Sequence, residues 1–376
     1  MKIVHIHHHY WPVVGGLENA VKALAEEQAR LGHEVHVVTS AYGAEGRPRE
    51  EEINGVYVHR VKAVRLMGYP DLMYPLELPD LFKDADVAHG HSQNSLFTVK
   101  MLQHAKKRGV KTAIHFMAVD ALGDHPNPII RLLGSKYSSA VTKRAVREFD
   151  IHMARSLRDR ELLMSRYGAR DVHYVPDGVS NELLNTEYLG DWFRRIRNIE
   201  SDYVLYIGRL HPLKGIHYLI KAMKIVSDEV KNSSLVIIGP GDQRPYIDLA
   251  NRLGIRDRVL FLGYVSDREK IGALDASTAL VLPSICNYVE VYPMVISEAW
   301  ARQKPVIATA VGGIPYRVKN GENGILVPPR DAKTLANAIT TLLTDKELAR
   351  RLGARGRKYV KSWIQIARET LKLYGE

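Results

Sequence analysis

Cysteine is nearly absent from this chain. Cys286 stands alone in 376 residues, so no disulfide can form within the chain and nothing in the composition points to an oxidising compartment. Long apolar runs are missing too. The opening MKIVHIHHHYW has no extended apolar stretch of the kind a secretory signal needs, and no segment approaches the ~20 apolar residues of a membrane-spanning helix. Low-complexity tracts and short-period repeats are lacking. So is the interleaving of basic and aromatic residues that marks a nucleic-acid groove. These absences leave a cytoplasmic globular protein, not a nucleic-acid binder, as the expectation.

What is present is a composition of 45% hydrophobic and 25% charged residues over a length that suits two domains rather than one. The formal net charge of +11 favours an anionic partner such as a nucleotide, a phosphorylated acceptor or a membrane surface. The densest basic groups are Lys143, Arg144 and Arg147, then Arg155, Arg158 and Arg160, then Arg350 through Lys361. A solvated helix face accounts for each as readily as a binding patch does.

Short apolar runs alternate with amphipathic segments, twice over. KIVHIH, EVHVVTS, DVAHGH, VKTAIHF and FDIHMA read as buried strands in the first half, separated by helical stretches such as 17–31 and 94–108. YVLYIG, SLVIIG, RVLFLG, ALVLPS and PVIATA repeat the pattern in the second. Strand, helix, strand repetition implies right-handed crossovers and parallel sheets covered on both faces, hence an α/β chain of two Rossmann-like domains. The expected division is 1–180 and 200–355, joined by a polar linker over 181–199 that follows the turn Pro176-Asp177-Gly178. A closing helical segment within 356–376 is expected to cross back and pack on the first domain.

In open parallel sheets ligands bind beyond the carboxyl ends of the strands, where this chain gathers its glycines. Gly15 and Gly16 follow the first strand, but the pattern is not GxGxxG, and Thr39-Ser40 stands where a ribose-binding acid would end the second strand. A structural turn explains the pair almost as well as close approach to a ligand. The loop GRLHPLKG places Arg209 and Lys214 above the second sheet, where two cations can neutralise a diphosphate without a metal. The run EVYPMVISE carries two carboxylates, Glu290 and Glu298, eight positions apart. Pro293 suits the first position of a helix, leaving the amides of Met294, Val295 and Ile296 free to meet electron-rich oxygens. Glu298 then lies one turn beyond Met294 on the same helical face, while Glu290 stays on the loop.

Other patterns carry less. Asp84-Ala85-Asp86 spells a DxD metal motif, but it precedes a buried strand and reads as a helix end. His5, His7, His8 and His9, with His89 and His91, resemble a metal cluster. Alternation along a strand separates His7 and His9 from His8, so the run is not read as a convergent ligand set, and no metal site is expected.

Taken in order, HYWPVVGGLENAV, EVHVVTS, the strand-end His115, YVPDGVS, GRLHPLKG, VIIGPGD, FLGYVSD, LPSICNYVEVYPMVISEAWA, PVIATAVGGIP and NGENGILVPPRD resemble the retaining glycosyltransferases of family 4 across essentially the whole chain. The resemblance implies a GT-B fold, two Rossmann-like domains whose parallel sheets face one another across a cleft, and transfer of a hexose from a nucleotide sugar to a hydroxyl acceptor. It implies that Arg209 and Lys214 bind the diphosphate and that Glu298 accepts hydrogen bonds from the ribose. Glu290 would bind hydroxyls of the transferred sugar, and the amides of Met294 and Val295 would hold sugar and phosphate. Val265 of FLGYVSD joins the donor-binding set, Gly15 and Gly16 close on the diphosphate, and His115 lies near the anomeric carbon, so His115 and Glu290 are the candidate catalytic residues. No cofactor or obligatory metal is implied, only a donor such as a UDP-sugar or GDP-mannose.

The chain departs from the family pattern in three places. Phe116-Met117-Ala118 follows His115 where relatives often have glycine next to the histidine, Tyr316 replaces a common acid in GGIPYRV, and Pro293 replaces a glycine of the main motif. The acceptor is not legible. The segment 129–149 reads as a helix with an apolar face and Arg131, Lys136, Lys143, Arg144 and Arg147 on the remainder, which suits either peripheral contact with an anionic inner membrane face or an ordinary domain-one helix. Two rival functions are carried forward: a sugar-nucleotide epimerase of the same fold, and a non-catalytic nucleotide-sugar binder.

Overall fold

The computed structural model describes residues 1–375, which divide into two compact units: Met1–Gly178 together with the segment from Lys361 onward, and Val179–Val360.

In the first unit, β1 (Lys2–Ile6), β2 (Glu34–Ser40), β3 (Glu50–Ile53) and β4 (Val56–Val61) are followed by a small separate hairpin, β5 (Ala63–Arg65) and β6 (Met73–Pro75). Then come β7 (Val87–His91), β8 (Lys111–Phe116), β9 (Ile151–Ala154) and β10 (His173–Tyr174). The main sheet has eight strands in the order β10-β9-β8-β7-β1-β2-β4-β3. Its neighbours pair in parallel except β3 with β4, an antiparallel edge hairpin that the sequence reading did not include. Its turn is Asn54-Gly55, both with positive φ, as a two-residue hairpin loop requires. The crossovers are α1 (Gly16–Arg30), α2 (Leu96–Lys107), α3 (Pro128–Glu148) and α4 (Leu157–Tyr167). Helices lie on the sheet faces, so β2 and β7 are buried nearly end to end, the histidines and hydroxyl residues among them included.

The second unit begins earlier than expected. The presumed linker forms α5 (Asn181–Asn185) and α6 (Gly190–Arg197), and Leu183 and Phe193 from these helices sit in the hydrophobic core of the second unit. Arg302 fastens the stretch by donating to the carbonyls of Leu183 and Thr186, at 3.0 and 2.8 Å. Polarity of the segment misled, because its few apolar residues are spaced to reach one core. The sheet follows: β11 (Asp202–Ile207), α7 (Ile216–Glu229), β12 (Ser233–Ile238), α8 (Arg244–Arg252), β13 (Val259–Gly263), α9 (Asp267–Ala276), β14 (Ala279–Leu282), α10 (Met294–Ala301), β15 (Val306–Thr309), β16 (Gly324–Val327), α11 (Ala332–Thr344) and α12 (Lys346–Arg357). Six parallel strands run in the order β13-β12-β11-β14-β15-β16.

The closing segment is two helices, not one. α12 ends at Arg357 within the second unit, and α13 (Trp363–Tyr374) starts afresh from a capping box in which Ser362 accepts from the Gln365 amide and Gln365 accepts from the Ser362 amide. α13 packs on α1 in the first unit and buries Trp363, Ile366, Leu371 and Tyr374. Each of these large side chains contributes roughly 1.5–3 kcal/mol by leaving water. Glu376, the end of the expected closing segment, lies outside the described residues.

Both sheets reverse strand order beside their first strand. β1 lies between β7 and β2, and β11 lies between β12 and β14. Loops that leave the carboxyl ends of these strands diverge to opposite sides and open a crevice.

Candidate active site

In the second unit the crevice is formed by the loop after β11 and the loop after β14. The chain leaves β11 through Gly208, Arg209 and a short 3-10 turn, Pro212–Lys214, that ends in Gly215. Gly215 has φ +69°, and a Cβ there would stand 1.9 Å from the carbonyl oxygen of Pro283, just beyond β14. Only glycine lets the two loops approach so closely. That approach puts Lys214 Nζ 2.7 Å from Glu290 Oε1. The carboxylate is almost fully buried, and Ser284 Oγ donates to the same oxygen.

The double glycine after β15 holds the Glu290 loop from the other side. Gly313 N donates to the Glu290 carbonyl at 2.7 Å, and Gly312 N to Asn287 Oδ1 at 2.9 Å. A Cβ on Gly312, whose φ is +55°, would stand 2.3 Å from the Glu290 carbonyl oxygen. Glu290 is thus fixed at both backbone and side chain.

α10 begins one residue later than the sequence reading places it. Pro293 is the N-cap, with extended backbone (φ −70°, ψ 105°), and Met294 opens the helix. The amide of Ile296 is consumed by the Pro293 carbonyl at 3.2 Å, so it is not available. Those of Met294 and Val295 make no hydrogen bond among the described residues. Arg317 braces this turn: it donates to the Pro293 carbonyl at 2.6 Å and to Ser297 Oγ, and lies 3.9 Å from the centre of the Tyr292 ring.

Glu298 lies one turn on, as spacing requires, and meets Lys270 from α9 at 3.3 Å. Asp267 lies at the same distance from that ammonium. Burial works to lower the Lys270 pKa, but the two carboxylates outweigh it and hold the ammonium above its ordinary value. Glu298 therefore faces a permanent cation. Arg209 is exposed and makes no ion pair among the described residues. Val265 is different: its side chain is buried in the hydrophobic cluster and offers nothing polar.

The first unit has its own set. Gly15 caps α1 without a side chain; a Cβ on Gly16 would meet nothing within 4 Å, whereas one on Gly15 would stand 2.2 Å from Glu18 Oε2, so the Glu18 carboxylate lies over the helix start. His115 stands near the end of β8, its Nε2 2.9 Å from the Val175 carbonyl. Burial, then the neighbouring Arg155 charge, push its pKa down to about 3. His115 is therefore neutral at physiological pH, with Nε2–H donating to Val175 and Nδ1 left as an acceptor. Arg155 itself is held by a buried ion pair with Asp177.

Two sequence expectations need correction here. β1 ends at Ile6, so strand alternation does not govern the histidines beyond it, and the rings of His7, His8 and His9 lie in succession at 4.2 and 4.7 Å, the first pair tilted and the second edge to face. Asp86 of the DxD sequence accepts from the Lys2 amide at 2.7 Å and is committed to tying β1 to the start of β7. The sequence reading also missed Lys270, Ser284 and Arg317. Nothing in their local spacing marks them, because each reaches the site from a different element.

Cations, carboxylates and free helix amides gathered at the carboxyl end of a parallel six-stranded sheet define a ligand-binding crevice of an α/β protein. Comparison with known proteins narrows this. Residues 14–183 match the family model of Glycosyltransferase Family 4, and residues 192–359 that of Glycosyl transferases group 1. An uncharacterized glycosyltransferase of Methanocaldococcus jannaschii is 31% identical over 100% of this chain and 98% of its own length. A D-inositol 3-phosphate glycosyltransferase of Nocardia farcinica is 30% identical over 96% of this chain and 84% of its own. The chain belongs to glycosyltransferase family 4.

Among solved structures, sucrose-phosphate synthase from Thermosynechococcus elongatus superposes with a TM-score of 0.79 at 26% identity, covering 99% of this chain and 98% of that one. Anabaena HepE in complex with UDP and glucose gives 0.73 at 18%, covering 99% and 98%. The fold is GT-B, and the protein is a glycosyltransferase. Among the described residues no helix is long and apolar enough to cross a membrane.

Proposed function

We propose that this protein is a retaining, nucleotide-sugar-dependent hexosyltransferase that needs no metal at the diphosphate. The observation that carries the reading is the Lys214–Glu290–Ser284 cluster beside the unpaired Arg209 and the free amides of Met294 and Val295. Departure of a nucleoside diphosphate leaves negative charge on the β-phosphate oxygen. Two cations and a helix start supply what a divalent ion supplies elsewhere.

The two carboxylates then have separate tasks. Glu298, beside the Lys270 ammonium, accepts from the neighbouring ribose hydroxyls. Glu290, fixed on its loop, accepts from hydroxyls of the transferred hexose. Because Lys214 and Ser284 already occupy Glu290, it is poorly disposed as a nucleophile. Front-face attack, in which the leaving phosphate takes the acceptor proton, suits the site better. His115, neutral, offers its Nδ1 to a sugar hydroxyl, and the Gly15-Gly16 helix start is assigned to the diphosphate once the Glu18 carboxylate swings aside. An epimerase reading gains no support from the relatives, all of which are named as transferases or synthases among those compared.

For the acceptor, α3 is informative. Its buried residues are the small Ser138, Thr142 and Ala145, whereas Ile129, Leu132 and Leu133 are exposed at 67, 60 and 61%. Apolar residues presented to solvent next to Arg131 and Lys136 suit contact with an anionic membrane carrying a lipid-linked hydroxyl. Co-sedimentation with anionic vesicles tests this, and equal recovery in the supernatant with and without vesicles refutes it.

The donor is tested by thermal shift with UDP-glucose, UDP-N-acetylglucosamine, GDP-mannose and ADP-glucose, without added magnesium or manganese. UDP-glucose is the first choice because HepE has been solved with it. A ligand at ~100 times its Kd stabilises by about 2.7 kcal/mol, which is readily seen. No stabilisation by any of the four until a divalent ion is added would refute metal-independent binding.

A further inference from the structure

His5 and His89 are cross-strand partners in the parallel pair β1 and β7, so they stand side by side on one face of the first sheet. His91, two residues beyond His89, lies on that same face. All three are buried, at 0, 0 and 3% exposure. One nitrogen from each lies within 4.8 Å of the other two.

The outward nitrogens are already occupied. His5 Nε2 is 2.7 Å from Gln28 Oε1, a pure acceptor, so Nε2 carries the proton and Nδ1 presents a lone pair. That Nδ1 stands 3.0 Å from His91 Nε2. His89 Nδ1 is 2.6 Å from the Tyr374 hydroxyl. His89 Nε2 has no hydrogen-bond partner although it is sealed from solvent. A protein does not ordinarily leave a buried polar group of this kind uncompensated.

We propose that His5 Nδ1, His89 Nε2 and His91 Nε2 bind one zinc ion, as a structural site behind His115, whose ring lies 5.7 Å from that of His89. Zinc–nitrogen bonds of about 2.0–2.1 Å place tetrahedral ligand atoms roughly 3.3 Å apart. His5 Nδ1 and His91 Nε2 at 3.0 Å are already near that value, and the third nitrogen lies within 4.8 Å of both, within reach of ring rotation. Gln28 and Tyr374 fall where ligating histidines find the partners that fix their tautomer and orientation. A water would complete the coordination. The ion would fasten β1, β7, α1 and α13 to one point.

The test uses the full chain, freed of metal by dialysis against a chelator and then titrated with Co2+ or Zn2+ alone. One equivalent of Co2+ is expected to give the intense visible bands of a four-coordinate ion, and one equivalent of Zn2+ to raise the melting temperature. His89→Gln should abolish both, whereas His9→Gln, which disrupts the adjacent run of rings, should leave both unchanged. Tyr374→Phe keeps the three ligands and should weaken zinc binding 10- to 100-fold, a readout that survives if His89→Gln fails to fold. Absence of stoichiometric uptake overturns the proposal, as does the weak spectrum of six-coordinate Co2+. So does binding lost in His9→Gln but kept in His89→Gln.

Discussion

Changing Glu290 to glutamine keeps the shape of the side chain and removes its charge, which makes it the sharpest probe of the donor site. Two costs can be separated. Lys214 loses an ion partner at 2.7 Å, but its side chain is 19% exposed and its ammonium can turn to water. The stability cost is therefore about 1 kcal/mol rather than the 3–5 of a sealed pair. For a unit of this size that lowers the melting temperature by roughly 2–4 °C. The catalytic cost is comparable. A sugar hydroxyl gains about 1.5–3 kcal/mol by donating to a carboxylate against about 0.5–1.5 to an amide oxygen, so the difference of about 1–1.5 kcal/mol should lower kcat/KM about 5- to 13-fold. If the contact tightens as the glycosidic bond breaks, the loss appears in kcat. Glu298→Gln should instead raise the donor KM with kcat nearly unchanged, because ribose is gripped equally before and during reaction. Steady-state kinetics with calorimetric donor titration reads both. Unchanged kinetics in the two variants would sink the assignment, and a reversed split would exchange the roles.

Three further outcomes follow from the geometry. Gly215→Ala forces a methyl into the Pro283 carbonyl at a positive φ; a loss of 2 kcal/mol or more is expected by denaturant unfolding, roughly the cost of such strain, and a wild-type midpoint would contradict it. Arg209→Ala touches an exposed cation without an ion partner, so stability should hold while affinity for UDP drops about 10-fold or more, the value of a charge-assisted hydrogen bond; unaltered UDP titrations would remove Arg209 from the site.

Asp159, fully buried, has its pKa raised to about 6 by burial, against the hydrogen bonds from Ser156 and the Val119 amide. The folded state thus holds this proton more tightly than the unfolded one, so the contribution is full below pH ~3.8 and disappears as pH rises through about 6. Relative to wild type, Asp159→Asn should gain up to ~3 kcal/mol between pH 4 and 7, and a pH-independent difference in unfolding free energy would refute the shift.

Much of this was readable from residues because apolar period and strand-end position carry it. The buried parallel strands announce themselves as short runs rich in apolar residues, and loops after β11 and β14 must lie at a switch point once the strand order is known. Glu290, Glu298, Arg209 and Lys214 sit in those loops. The partners that tune them were not readable. Lys270 comes from α9, Ser284 from the end of β14 and Arg317 from a loop after β15, so only tertiary packing brings them together. The edge hairpin β3–β4 was hidden by its charge: Glu50, Glu51 and Glu52 suit an exposed edge strand and suppress the apolar signal. Polarity likewise hid α5 and α6. The pairing of His5 with His89 required the register between two strands 84 residues apart, which no single strand's pattern contains.

The return of α13 to the first unit sets an order on biosynthesis. The sheet that begins at Lys2 has its buried histidines and Lys111 waiting for Tyr374, and the ribosome must first make all of Val179–Val360. During that interval the second unit has every strand it needs while the first still lacks the helix that covers α1 and shields Leu24 and Ala25 from water. The half of the molecule made first is therefore the half finished last, and a chain stalled before Lys361 would present its apolar gap to chaperones and proteases.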